Sequence, residues 1–261
     1  MTPFQLFTEG RLREALLQAK REIDRKSDDS SRLLLIELHL FAGEIDSASR
    51  LLDEFETESP PLEDYLSGFR RLLRAENKRQ RILSEGQPGF LTSPPEHLLH
   101  RLDALLTLRE GDIDSVIDLL DEADAEIPPI SGHIDGREFE EIRNADDLFA
   151  SFLEVIVDED YLWVPWEAIR KLRLEKCETP RDHLFIPGLL TLQDQRVVEV
   201  LLPSVYLGTT RFTQEELLLG RGTDWTSEDG GPIRGIGSQL LEVGEEELTF
   251  HDFRQLEIRL N

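Results

Sequence analysis

Glycine recurs at a regular interval along the first half of the chain, and this interval limits the possible folds more than any other sequence feature. Gly10, Gly43 and Gly111 are each followed by Leu or Ile two positions later and by Ala or Val five positions later. They are separated by 33 and 68 residues. Because 68 is twice 34, we expect a further unit between the last two, with Asn77 at the glycine position. Gly and Asn both tolerate a left-handed backbone, so the pattern predicts helix pairs joined at tight turns.

Proline follows the same interval. Pro60, Pro94 and Pro128 lie 34 residues apart, and proline disfavours helix at the residue before it, so we expect each to end a unit. The pattern resembles tetratricopeptide repeats, which are helix–turn–helix units of about 34 residues. The Trp/Gly/Tyr signature of the first helix is missing, so the repeats are degenerate. Residues 1–130 are therefore predicted to form a TPR-like α-helical repeat domain.

Stacked helix pairs generate a curved surface with a concave side. Two roles remain open for such a surface. It can hold a peptide or a helix of a partner protein, or it can serve only as a scaffold for the second half of the chain.

Residues 131–261 have a different pattern and are predicted to form a smaller, mixed, β-rich domain. The whole chain is therefore assigned to the α+β class with two domains. Residues 132–139 indicate a hairpin, and residues 145–156 have the spacing of one amphipathic helix, with Asp146 and Asp147 in its first turn. Short apolar segments separated by turn residues predict strands at 161–164, 171–177, 183–187, 196–201 and 248–260.

The charge of the chain excludes several classes of partner. There are 54 acidic and 29 basic residues, a formal net charge of −25. A nucleic-acid binder needs a positive surface, and so does a protein that docks on anionic lipid, so we expect neither partner. The sequence contains no run of about 18 apolar residues and no secretory leader pattern. We therefore expect a cytoplasmic protein.

The sequence carries no signature of catalysis. Cys177 is the single cysteine, which precludes an internal disulfide and a cysteine-cluster metal site, and we expect a buried thiol. Of the six histidines only His97 and His100 are close in sequence, and no third ligand lies near them. Nucleophile elbows, phosphate loops and dinucleotide fingerprints are absent. We predict no catalytic residue, no cofactor and no metal.

Three segments of the second half are richer in Trp, Tyr, Gly and Arg than packing alone requires, and an Arg-Asp pair lies between them. They run over residues 161–166, 203–208 and 220–225, with the Arg-Asp pair at 181–182. The residues of interest are Trp163, Pro165, Arg181, Asp182, Pro203, Tyr206, Arg221, Thr223, Asp224 and Trp225. At these positions the chain resembles the ImpE family, also called SciE or TagJ, whose members are accessory proteins of bacterial type VI secretion.

The resemblance implies a noncatalytic cytoplasmic adaptor. Such a protein would bind an N-terminal helical segment of the small contractile-sheath subunit and would link it to sheath handling by an AAA+ ATPase. The ten motif residues are then candidates for partner binding. The structural alternative is that Arg221 and Asp224 form a bridge that pins a loop, with Trp225 and Trp163 in the core. Two other functions stay open: a small-ligand protein or enzyme that uses the Arg, Trp and Tyr loops, and a subunit that only forms a homodimer.

Overall fold

A computed structural model describes residues 1–24, 28–227 and 230–260 of the chain. Residue 260 is described by its backbone alone. Helices fill the first half and a large mixed sheet fills the second, so the fold belongs to the α+β class, as predicted. Within the described residues, the helices are too short or too polar to cross a membrane.

Seven helices form the first half. They are α1 (Pro3–Thr8), α2 (Leu12–Ile23), α3 (Asp29–Phe41), α4 (Ile45–Asp53), α5 (Pro60–Arg81), α6 (Glu96–Glu110) and α7 (Ile113–Glu126). Local chemistry sets several of the starts. Thr2 and Gln5 form a capping box at α1, the Asp28 side chain caps α3, and Pro60 occupies the first turn of α5, where its missing N–H costs nothing.

The three turn glycines lie between helices, as the sequence predicts. Gly10, Gly43 and Gly111 have φ values of 84°, 72° and 79° and connect α1 to α2, α3 to α4 and α6 to α7. Gly43 also needs its missing side chain for space, because a Cβ there would lie 2.5 Å from the Thr210 side chain.

The predicted turn at Asn77 is wrong. Asn77 lies inside α5, which runs unbroken from Pro60 to Arg81. An exposed Asn costs a helix only about 0.7 kcal/mol relative to Ala. The buried face of α5 continues past the position, from Leu73 to Glu76 and Arg79. Packing of that face therefore outweighs the local turn preference.

Fourteen strands are described, and nine of them form one sheet. The strands are β1 (Gly89–Phe90), β2 (Ile130–Ile134), β3 (Arg137–Phe139), β4 (Ile142–Asn144), β5 (Phe152–Val157), β6 (Asp160–Pro165), β7 (Ile169–Leu174), β8 (Phe185–Leu192), β9 (Val197–Pro203), β10 (Thr223–Thr226), β11 (Arg234–Gly237), β12 (Leu240–Val243), β13 (Glu246–Thr249) and β14 (Gln255–Leu260). The large sheet has the order β1-β6-β5-β9-β8-β7-β14-β2-β3. Its pairs are antiparallel except for β1 with β6.

Smaller elements complete the second half. The strands β13, β12 and β4 form a three-stranded sheet, β10 and β11 form a hairpin, and the short helix α8 (Glu215–Leu218) lies between β9 and β10. The predicted hairpin at 132–139 is confirmed by the pairing of β2 with β3. The predicted strand at 248–260 is two strands, β13 and β14, with a turn between them.

The predicted helix over 145–156 is wrong. Its second half is strand β5, and Asp146 and Asp147 lie in turns ahead of it. Leu148 and Phe149, in the turn before β5, and Phe152, in the strand, are all buried. Their spacing imitates a helical face because the strand that follows is buried on both sides. Phe152 and Ile156 face the helices, whereas Leu153 and Val155 pack on the opposite side. A strand covered on both faces reads as a continuous apolar run without the alternation that identifies a strand.

The helical half and the sheet share one hydrophobic core. The cluster that contains the helix residues Leu72 and Phe41 also contains Phe152, Trp163 and Leu207 from the second half. Strand β1, which lies between α5 and α6 in the chain, pairs with β6 of the sheet. The division into domains at residue 130 stays a prediction.

Candidate functional site

A buried ion pair joins the helical half to the sheet. Arg79 of α5 is fully buried, and its Nε lies 2.7 Å from Oε1 of Glu154 in β5. Its Nη2 donates to the carbonyl oxygen of Val205 at 2.9 Å. Glu154 also accepts hydrogen bonds from the Tyr161 hydroxyl at 2.7 Å and from the Gln239 side chain at 2.8 Å. Buried charges persist only when paired and hydrogen-bonded, so this network fixes α5 against the sheet and against the segment after β9.

A second buried carboxyl group belongs to the same network. Glu76 lies one turn before Arg79, and burial raises the pKa of its carboxyl group. Its Oε1 accepts a hydrogen bond from Gln80, and its Oε2 has no hydrogen-bond partner among the described residues.

Trp163 and Pro165 lie on β6, inside the molecule. Trp163 is fully buried, and its ring stacks on Phe152 with 4.0 Å between ring centroids. Its indole N–H donates to the hydroxyl of Tyr161 at 2.7 Å. Pro165 pairs with Phe152 at the end of the strand. Both residues therefore support the junction from within and offer no surface to a partner.

Arg181 and Asp182 lie in a 3-10 turn, Pro180–His183, that packs on the helical half. The guanidinium of Arg181 lies over the rings of Tyr65 and Phe69 in α5, at 4.5 and 4.9 Å from their centroids. Asp182 is buried and accepts hydrogen bonds from two backbone N–H groups just ahead of the turn. Arg181 thus connects the C-terminal half to α5 through cation–π contact.

Arg221 makes a similar connection to the first helix. Its Nη1 and Nη2 donate to the carbonyl oxygens of Thr8 and Phe7, at 3.0 and 3.1 Å. These carbonyls lie in the last turn of α1, where the helix offers no N–H four residues later. The Phe7 oxygen also accepts a hydrogen bond from the Gly10 N–H at 3.0 Å. The expected ion pair between Arg221 and Asp224 is wrong, because the guanidinium of Arg221 donates its hydrogen bonds to carbonyl oxygens at the end of α1. Asp224 instead accepts a hydrogen bond from the backbone N–H of Trp225.

The remaining motif residues surround the hairpin of β10 and β11. Trp225 is 41% exposed, so the expectation that it fills the core is wrong. Its ring lies 5.9 Å from that of the buried Tyr206, whose hydroxyl accepts a hydrogen bond from the N–H of Leu240. Thr223 donates to a backbone carbonyl across the hairpin. Pro203 ends β9, and its carbonyl accepts a hydrogen bond from Gln239.

A cleft of about 460 Å³ opens between the helices and these loops. Its apolar lining comes from both halves of the chain, which explains why sequence spacing does not reveal it. The apolar side chains are Leu83, Leu105, Leu108, Ile113, Leu207, Phe212, Pro232 and Ile236. Leu207 and Gly208 belong to the motif segment 203–208, and Gly235 and Ile236 belong to the glycine-rich stretch 235–239 that follows the third segment in the sequence. A cleft of this size and polarity accepts apolar side chains of a ligand or of a partner segment.

Three arginines line the cleft in a strongly acidic protein. Arg109 donates to the carbonyl oxygens of Ile82 and Gly86, and Arg234 pairs with the buried Asp146. The side chain of Arg211 is exposed and has no ion pair or hydrogen bond with the part of the chain that the structure describes. Arg211 is therefore the cation that a carboxylate entering the cleft would meet.

One cluster outside the cleft has the composition of a catalytic triad. Ser151 Oγ lies 3.1 Å from Nδ1 of His97, and Nε2 of His97 lies 2.6 Å from Oε1 of Glu167. However, Ser151 is 1% exposed, and its Oγ accepts a hydrogen bond from Nε of Arg101 at 2.7 Å. We assign this cluster to the packing of α6 on the sheet.

The fold and the junction define an α+β protein in which helix pairs pack on a largely antiparallel sheet, with a cleft between them. Residues 136–257 match the family model described as ImpE protein. The chain is 26% identical over 258 residues to the type VI secretion system accessory component TagJ of Pseudomonas aeruginosa, covering 97% of this chain and 89% of that protein. Both matches bear out the predicted resemblance to the ImpE/SciE/TagJ family.

The fold itself is shared with a solved structure. The crystal structure of protein VPA1032 from Vibrio parahaemolyticus matches with a TM-score of 0.91 at 21% identity, covering 99% of this chain and 98% of that one. At this identity the match establishes the architecture.

Proposed function

We propose that this protein is a noncatalytic cytoplasmic adaptor of a bacterial type VI secretion system. In this proposal it binds an N-terminal helical segment of the small contractile-sheath subunit and links it to sheath handling by the AAA+ ATPase. The family relationship implies an accessory role in type VI secretion. The observation that carries the binding mode is the apolar cleft between the helices and the motif loops.

The cleft suits one face of an amphipathic helix. A helix presents apolar side chains every three or four residues on one face, and a groove lined by leucines and a phenylalanine can bury them. Its volume of about 460 Å³ is enough for a few side chains and too small for a whole helix. The partner would therefore lie across the opening and insert its apolar side chains.

The charges add a requirement for the partner. The net charge of −25 attracts a segment with basic residues from a distance. At the cleft itself, the exposed Arg211 favours a carboxylate beside the apolar side chains. A helical segment that carries basic residues and a carboxylate would be attracted by the net negative charge of the protein, and its carboxylate would be positioned by Arg211.

Isothermal titration calorimetry with the small sheath subunit tests the proposal. The intact subunit should bind, and a form without its N-terminal segment should not. In the adaptor, Arg211→Glu and Phe212→Ala should each weaken binding about tenfold, the cost of losing about 1–2 kcal/mol at an interface anchor. Arg196→Glu, an exposed charge reversal outside the cleft lining, should leave the affinity unchanged.

Three results would remove the proposal in its present form. Equal binding of both subunit forms would exclude the N-terminal segment as the ligand. Equal effects of Arg211→Glu and Arg196→Glu would exclude the cleft as the site. Light scattering that shows a dimer with the cleft residues buried would instead favour the homodimer.

A further inference from the structure

Folding brings a thiol and two imidazoles together at one edge of the C-terminal half. Cys177 follows β7, His183 ends the 3-10 turn that begins at Pro180, and His251 lies in the turn between β13 and β14. One ligand atom from each side chain lies within 4.8 Å of the other two. The two histidine rings are 5.6 Å apart between centroids.

We propose that Cys177, His183 and His251 form a binding site for a zinc-type divalent cation. Thiolate sulfur and imidazole nitrogen are the ligands that zinc prefers, whereas magnesium and calcium prefer oxygen. In a tetrahedral zinc site, bonds of about 2.0–2.3 Å place neighbouring ligand atoms roughly 3.3–3.7 Å apart. The three atoms need to approach by about an ångström, which side-chain rotation can provide.

The surroundings already orient the ligands. Nε2 of His251 lies 3.2 Å from the carbonyl oxygen of His183, and Sγ of Cys177 lies 3.2 Å from the carbonyl oxygen of Asp182. The histidine contact is the usual support around a zinc site, because a ligating histidine donates its other ring N–H to a carbonyl oxygen. The Cys177 contact needs the protonated thiol, so metal binding as a thiolate would replace it. His183 is exposed, and Cys177 and His251 are half-buried, so an ion can enter from solvent.

Three protein ligands leave a fourth position for water. The carboxyl group of Asp182 is adjacent, but its Oδ2 already accepts hydrogen bonds from the backbone N–H groups of Glu178 and Thr179. The bound ion would join the turn that carries Arg181 to the turn before β14. Since Arg181 stacks on α5, the metal would stabilise the contact between the two halves. This inference does not depend on the adaptor function.

Metal binding by the full-length protein tests the site. Chelator-treated protein is titrated with Co²⁺, followed by its absorption spectrum, and with Zn²⁺, followed by competition with a chromogenic chelator. We expect one equivalent of Co²⁺ with a thiolate-to-cobalt charge-transfer band that Cys177→Ser abolishes. His183→Ala and His251→Ala should each weaken Zn²⁺ binding at least about tenfold. His100→Ala is the matched control and should change nothing, because His100 lies in α6 against Glu122 and Glu126.

Two outcomes would overturn the proposal. One is the absence of the charge-transfer band in the unmodified protein. The other is equal Zn²⁺ affinity in the unmodified protein and in a variant that combines Cys177→Ser, His183→Ala and His251→Ala, since this would mean that the acidic surface holds the ion. Circular dichroism checks that each variant is folded. If Cys177→Ser does not fold, His183→Ala decides the question, because its side chain is exposed and its loss leaves the core intact.

Discussion

Arg79 and Glu154 form a fully buried ion pair, with 2.7 Å between Nε and Oε1, that joins α5 to β5 at the centre of the molecule. Removing one member leaves the other charge buried and unpaired. Arg79→Met should therefore lower the free energy of unfolding by about 3–5 kcal/mol. Urea denaturation followed by circular dichroism measures this change.

The surface pair Arg74 and Glu159 is the matched control for that prediction. Its Nε–Oε2 distance is also short, at 2.8 Å, but both side chains are at least half exposed. Arg74→Met should cost no more than about 1 kcal/mol. Equal costs for the two variants would show that burial does not decide the strength of the central pair.

Arg221 should hold the first helix in place. Arg221→Ala removes two hydrogen bonds to the last carbonyls of α1, so α1 should detach locally while the rest of the protein stays folded. We expect faster amide hydrogen exchange in residues 3–8 and a loss of global stability of no more than about 1–2 kcal/mol. Arg11→Ala, which removes exposed contacts with Met1, Glu9 and Glu14 but no hydrogen bond to the last carbonyls of α1, is the control. Unchanged exchange in α1 of Arg221→Ala would contradict the assignment.

Glu37 should make stability depend on pH near neutrality. Burial raises its pKa to about 7 in the folded protein from 4.5, so the folded state holds its proton when the unfolded state has lost it. This contribution to stability is complete below pH 4.5 and is lost as the pH rises through about 7. Glu37→Gln keeps the neutral form at every pH. The variant should therefore be more stable than the unmodified protein at pH 8, by roughly 3 kcal/mol, with a much smaller difference at pH 5.

Urea denaturation at both pH values checks the prediction for Glu37. The exposed Glu58→Gln provides the control, with the same chemical change at a solvated position. Each variant is compared with the unmodified protein at both pH values. If the difference in unfolding free energy changes equally with pH in Glu37→Gln and Glu58→Gln, Glu37 is not the source of the pH dependence.

The two tryptophans of the motif segments should respond differently to truncation. Trp163 is fully buried against Phe152, so Trp163→Ala should cost about 3–5 kcal/mol. Trp225 is 41% exposed, so Trp225→Ala should cost much less, about 1 kcal/mol. Thermal and urea unfolding of the two variants compare the costs directly. A larger loss in Trp225→Ala would mean that its ring is more enclosed than its position on β10 indicates.

Three helix-ending turns of the first half and the resemblance to the ImpE family could be predicted from residue types and their spacing alone. Gly10, Gly43 and Gly111 end helices at left-handed turns because their local requirement is met by glycine whatever surrounds it. The motif residues at 163–165, 181–182, 203–208 and 219–225 identified the family because they lie in continuous segments of the chain.

The remaining features depend on how the helices and the sheet pack. Asn77 lies within a helix because packing of the buried face of α5 outweighs the local turn preference. Residues 152–157 form a strand whose burial on both faces removes the alternation on which a sequence pattern depends. Arg221 bonds α1 and not Asp224, and Cys177 meets His251 across most of the C-terminal half. Such contacts depend on distances between residues far apart in the chain, and those distances are fixed only when the helices and the sheet pack together.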